Sequence, residues 1–167
     1  MNETSMAVDH LLEICRRVEV TMASLYRYLG ELYRDTPDIA AIWRKTANEE
    51  ENHARQFEFA LKFPNLIAHP RVDVTAADGL LKEVLELDRR VRRTPALPVV
   101  ALQAVVEMEE RLADYHMNSI GDFRDPKLQQ LFEAMMAADK QHVQMVTEAL
   151  ARLTSSGGAP GQSGVQR

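Results

Sequence analysis

Two four-residue steps in this chain carry the same chemistry: Glu50-Glu51-Asn52-His53 and Asp139-Lys140-Gln141-His142. Each lies inside a long helical pattern, where residues three apart share a face. Each step therefore presents a carboxylate and an imidazole to one point. Both acids fall on apolar faces: Glu50 stands seven residues after Trp43 and seven before Phe57, and Asp139 has the same relation to Phe132 and Val146. A carboxylate buried without a partner is strongly unfavourable. Any fold this chain adopts must therefore supply these acids with partners.

The patterning around them is helical throughout. The first helix is expected from about Ser5 to Tyr33, with Ser5 as N-cap and Val8, Leu11, Leu12, Cys15, Met22, Leu25, Leu29 and Leu32 at helical spacing. Asp35-Thr36-Pro37-Asp38 reads as a turn, with Thr36 or Asp38 capping a second helix over roughly Ile39 to Lys62. A connection holding Pro64 and Pro70 leads to a shorter helix, capped by Thr75 or Asp78 and ending near Arg93. Beyond Pro95 and Pro98, two further helices are expected over about Val99 to Ile120 and Lys127 to Leu153. Strand signals are absent, so the expected fold class is all-α. The domain is expected over residues 1–153, and the Ser-, Gly- and Pro-rich stretch 154–167 reads as a disordered tail.

Short turns join the first and second long helices and the third and fourth, which makes two antiparallel hairpins. The connection between the hairpins is long enough to cross from one end of a four-helix bundle to the other, the arrangement of ferritin-like folds. The hairpins repeat a ligand spacing as well. Glu19 precedes Glu50 by 31 residues and Glu107 precedes Asp139 by 32, which brings these positions to similar heights.

A Glu from each of two helices, with an acid-x-x-His from each of the other two, is the ligand set of a carboxylate-bridged di-metal bundle. Two divalent ions would explain the buried acids, with carboxylates bridging hard iron or manganese and an imidazole on each ion. The candidate ligands are Glu19, Glu50, His53, Glu107, Glu110, Asp139 and His142. Glu110 is read as facing inward, four residues after Val106 and three before Ala113, whereas Glu49 and Glu109 are expected to be solvated. His10, His69 and His116 have no acid at this spacing and are expected to be structural or exposed. Tyr26 and Tyr115 are expected mainly to pack, although either can reach a ligand carboxylate. The basic run Arg89, Arg90, Arg92 and Arg93 reads as a solvated face of the shorter helix.

Composition closes off other classes. The net charge of −5 argues against broad nucleic-acid binding, which usually shows a basic face, and no nucleic-acid partner is expected. A single cysteine, Cys15, excludes an intrachain disulfide and any site built from several cysteines of one chain, and it is expected to be a small core residue. No stretch approaches the roughly 20 apolar residues needed to span a bilayer. The start, Met1 to Ser5, lacks the basic-then-apolar pattern of a secretory leader, and the cytoplasm is the expected compartment.

At this point the chain resembles the rubrerythrin-like branch of the ferritin superfamily. The segments that carry the resemblance are Arg17-Val18-Glu19 with Tyr26, Ala47 through His53, Glu107-Met108-Glu109-Glu110, and Ala138 through His142. It covers Met6 to Leu153. The resemblance implies a di-iron centre that reacts with hydrogen peroxide or dioxygen, held by the candidate ligands above, and the role of a non-haem di-iron oxidoreductase, either peroxidase or ferroxidase. It also makes a homodimer the expected assembly. Two departures stand out. Asp139 occupies a position where glutamate is usual, shortening its reach by about one C–C bond. No paired CxxC motif is present to form the rubredoxin-like module of full-length rubrerythrins, so an external electron donor is implied. Two other roles suit the same helices: iron storage or delivery, and a metal-free helical interaction protein.

Overall fold

The computed structural model describes residues 3–63, 67–69, 73–94, 97–119 and 122–156. Five helices hold most of them: α1 (Glu3–Leu32), α2 (Pro37–Ala60), α3 (Val74–Arg93), α4 (Pro98–Ser119) and α5 (Pro126–Ser156). The fold is all-helical apart from one short ladder. There β1 (Ile67–His69) pairs antiparallel with β2 (Asp122–Phe123), Ile67 opposite Phe123, an element the lack of strand signals did not foretell. The ladder ties the segment after α2 to the turn between α4 and α5.

The α1–α2 hairpin is built by a tight turn. Thr36 N–H donates to the Tyr33 carbonyl at 2.9 Å, and Pro37 occupies the start of α2, where its missing N–H costs nothing. Thr36 takes the N-cap position without a side-chain capping bond. Gly30 lets the two helices approach closely, because a Cβ there would stand 3.2 Å from Arg44 Cγ and 3.6 Å from Trp43 Cβ. Cross-links Arg27–Glu51 and Arg44–Glu31 set the antiparallel register.

Asp73, rather than Thr75 or Asp78, caps α3 by accepting from Ala76 N–H at 2.9 Å. The helix then runs parallel to α1 and packs along it. His10 lies 3.9 Å from Asp78 near one end, and Arg92 donates to Ser24 Oγ at 2.9 Å near the other. Arg92 also bonds Asp88 and lies 4.9 Å over the Tyr28 ring, so one member of the basic run fastens α3 to α1. Since α3 runs alongside α1, it carries the chain from one end of the helices back to the other.

Helix α5 lies antiparallel to α2, with Phe57 edge-on to Phe132 at 5.4 Å and Lys45 Nζ 3.9 Å from Met145 Sδ near the opposite end. It continues to Ser156, past the expected limit at Leu153, so 154–156 are helical; the rest of the expected tail, 157–167, lies outside the described residues. The core runs between the helices through Leu11, Met22, Leu25, Leu29, Trp43, Phe57, Leu102, Val105, Phe132, Met135 and Val146. Cys15 is a buried free thiol in it.

Truncating Phe57 removes a fully buried ring that joins α2 to α5. We expect Phe57→Ala to destabilise the protein by about 3–5 kcal/mol, measured by urea unfolding.

Candidate metal centre

Seven polar or charged residues are buried among the described residues: Glu19, Thr46, Glu50, His53, Glu109, Asp139 and His142. Thr46 is satisfied within its own helix, donating to the Ile42 carbonyl at 3.1 Å. The other six, each only 2–4% exposed, come from α1, α2, α4 and α5 and face one another in the middle of the protein.

Two sets of potential ligand atoms form there, Glu19–Glu50–His53 and Glu50–Asp139–His142, each with its atoms within 4.8 Å of one another. Glu50 belongs to both. One of its oxygens, Oε2, is 3.0 Å from His53 Nδ1, and the other, Oε1, is 3.0 Å from His142 Nδ1. His53 Nδ1 also lies 3.8 Å from Glu19 Oε2 and 3.3 Å from Asp139 Oδ1. The two imidazoles stack with centroids 5.6 Å apart. Helical spacing produces this directly: Glu50 and His53 are one step on α2, Asp139 and His142 one step on α5, and the antiparallel packing of the two helices brings the steps together.

Around this cluster sit groups that hold it. The Tyr26 hydroxyl donates to Glu109 Oε1, and the Tyr26 ring stacks on Trp43 with centroids 5.5 Å apart. Glu49, about one-third exposed, brings Oε2 within 2.9 Å of His142 Nε2 on the outer side of that ring.

Five of the seven expected ligands are therefore assembled: Glu19, Glu50, His53, Asp139 and His142. Glu107 and Glu110 are not. Both are exposed, and Glu107 lines a groove of about 370 Å³ between α3 and α4 with Glu83, Glu86, Arg90 and Arg111. The α4 acid that faces the centre is Glu109, which had been expected in solvent. Each residue turns a helix by about 100°, so a one-residue error in phase exchanges the inner acid for its neighbours. Leu102, Val105, Glu109 and Leu112 form the buried stripe of α4, with Ala101, Met108 and Ala113 beside it. Glu49, also expected in solvent, reaches the cluster from its edge. Tyr26 does meet an acid of the centre, while Tyr115 lies 3.4 Å from the Asp73 carbonyl. His10 is exposed, as expected, and the side chains of His69 and His116 lie outside the described residues.

The cluster fits a metal ion by a direct observation. His142 Nδ1 and Nε2 are both buried without an aligned hydrogen bond, although carboxylate oxygens lie 3.0 and 2.9 Å away. Buried polar atoms in folded proteins nearly always have partners, and an imidazole lone pair among carboxylates is a metal donor. Glu19, Glu50, Glu109 and Asp139 together would offset the charge of two divalent ions. Comparison with protein-family models, with curated proteins and with solved structures finds no match to this chain.

Without a metal, protons must do the same work. Burial, with the nearby charge of Glu50, pushes Glu109 up to about 8 and holds Glu19 well above the usual carboxylate range. Burial works against the charged form of His142, yet contact with Glu50 overcomes it and raises the ring to about 9. Burial would raise Glu50 too, but the His142 and His53 imidazoles beside its two oxygens hold it below the usual range. Glu109 and His142 thus bind protons more tightly folded than unfolded. Their stabilisation is complete below their ordinary values of 4.5 and 6.5 and is lost as pH rises through about 8 and about 9. Glu50 acts oppositely, and its contribution falls away as pH drops below 4.5. We expect the melting temperature of the metal-free protein to fall steadily between about pH 6 and pH 9, with a shallower slope in Glu109→Gln, as read by calorimetry.

Proposed function

We propose that this protein is a ferritin-like, rubrerythrin-type di-iron carboxylate protein, in which α1, α2, α4 and α5 form a four-helix bundle and α3 travels in the long crossover. The observation that carries the reading is Glu50, whose two oxygens each belong to a separate buried Glu/Asp–His set. A carboxylate placed between two imidazoles in this way is suited to bridging two cations.

In this reading Glu19 and His53 would hold one ion and Asp139 and His142 the other, with Glu50 common to both sets. Glu109 supplies the carboxylate from α4, steadied by the Tyr26 hydroxyl. The shorter side chain of Asp139 is compatible with its place, because Oδ1 already comes within 3.3 Å of His53 Nδ1 and the residue groups with Glu50 and His142. Glu19, Glu50, His53, Glu109, Asp139 and His142 would hold the iron, which when bound would supply redox chemistry toward hydrogen peroxide or dioxygen. The residues of the chain supply the donor geometry and keep bulk water away, since every one of these acids and imidazoles is nearly closed to solvent.

Re-reduction is assigned to a donor outside these 167 residues, which hold one cysteine and hence no CxxC pair. A homodimer in the cytoplasm is the proposed assembly and setting. Among the described residues no helix is long and apolar enough to cross a membrane.

Anaerobic loading with Fe(II), followed by desalting, should leave about two irons per chain, and added peroxide should then oxidise them. Glu50→Ala should abolish retention of both ions, because that carboxylate serves both sets. Glu109→Gln should weaken retention, whereas Glu107→Gln and Glu110→Gln should leave the iron content at the wild-type level. Wild-type retention in Glu50→Ala would contradict the assignment. Bound metal should also raise the melting temperature, since an ion that binds only the folded chain stabilises it by mass action.

A further inference from the structure

Helices α3 and α4 form an antiparallel pair that is open along its outer side. Glu83 pairs with Arg111 at one end, and Thr94 lies across from Val100 at the other. Two cavities, of about 370 and about 410 Å³, follow one another between them, and Arg90, Ala104 and Glu107 line both. The floor is apolar, with Leu87, Val91, Ala101 and Met108 buried along the two helices. At the mouth of the second cavity Val100 is 50% exposed. Leu97, three residues before it, is 75% exposed, the most of any large apolar side chain among the described residues. Single exposed apolar residues are ordinary, but these two border a groove with an apolar floor. Charges of both signs rim it. Glu83 and Arg111 neutralise each other, whereas Arg90 and Glu107, both exposed in mid-groove, form no ion pair among the described residues.

We infer that a second copy of this chain docks in the α3–α4 groove about a two-fold axis near Ala104, each Arg90 pairing with Glu107 of the other copy. The inference rests on the proposed homodimer, to which it gives a surface, and it is independent of the metal centre. A two-fold contact places the same patch on both sides, so the patch must carry its own complement. Arg90 and Glu107 are one cation and one anion at the same level of the groove, and an axis between them makes two opposite-charge pairs at once. A ligand of a single charge sign would meet its own sign at one of the two. The ridge that enters the groove is on α4, where Val100, Gln103 and Glu107 are exposed at helical spacing. With α4 antiparallel to its copy across the small Ala104, Val100 comes opposite Met108 and covers the cavity floored by Leu87 and Met108. The two helices, 20 and 22 residues long, offer a face of about 30 Å by 20 Å, on the scale of the ~800 Å² that each partner gives to a standard interface.

The test is sedimentation velocity on the full chain, with circular dichroism to show that each variant is folded. Wild type should sediment as a dimer. Arg90→Glu and Glu107→Arg should each weaken that dimer by about 100-fold or more, since either reversal sets like charges opposite one another twice. The two variants are then mixed in equal amounts. One chain now carries two acids at these positions and the other two bases, so both pairs are restored and a heterodimer should form. Variants that stay dimeric would overturn the docking surface while leaving the proposed homodimer standing. Monomeric variants that fail to combine on mixing would overturn the Arg90–Glu107 contact and the two-fold built on it. A monomeric wild type would remove the homodimer and its surface together, and iron retention by that monomer would leave the metal centre intact.

Discussion

A single carboxylate, Glu50, is the point on which the interior depends. It is almost completely buried, remains ionised against the cost of burial, and does so because two imidazoles from two helices contact its two oxygens. Losing either histidine would leave a buried charge with half its compensation, a condition that proteins rarely tolerate. The surrounding acids Glu19 and Glu109 meet the same problem differently, retaining protons to which carboxylates do not ordinarily cling. A core that needs this much charge compensation is poorly explained as stabilising structure alone, since apolar residues of similar size serve that purpose as well or better. The arrangement makes sense as a site with a ligand, and cations satisfy the donors that are present.

The rest of the fold serves to bring four helices to that point in register. Gly30 permits the close approach of α1 and α2, so that Glu19 reaches the face carrying Glu50 and His53. The contact of Phe57 with Phe132 aligns α2 with α5, which places His53 against His142. Helix α3 lies along α1 and returns the chain to the end from which α4 must start, and the β1–β2 ladder fastens the loops at one end. Tyr26, stacked on Trp43 and bonded to Glu109, couples α4 to the α1–α2 hairpin. The site and the core are therefore the same object: each pair of helices that packs also delivers part of the cluster.

Much of this was legible from residue spacing. The acid-x-x-His steps on α2 and α5 were readable because Trp43, Phe57, Phe132 and Val146 define an apolar face with a clear phase at both places. Glu19 followed from its distance to Glu50. Helix α4 was harder, because Val99, Val100, Ala101, Leu102, Ala104, Val105 and Val106 wrap the helix in apolar residues and blur its phase. Among three acids in four positions, only tertiary packing selects Glu109 over Glu107 and Glu110. Glu49 was missed for a related reason: it lies off the apolar stripe of α2, and its contact with His142 comes from another helix. The β1–β2 ladder, two or three residues per strand, is too short to leave a period, and Asp73 was hidden among several residues able to cap α3.

The most direct test of the account is anomalous diffraction from crystals grown with Fe(II) or Mn(II) under exclusion of oxygen. It predicts two peaks per chain on either side of the Glu50 carboxylate, one beside Glu19 and His53 and the other beside Asp139 and His142, with Glu109 facing them. A structure with no anomalous peak in the core, or with metal only at exposed acids such as Glu107 and Glu83, would contradict it.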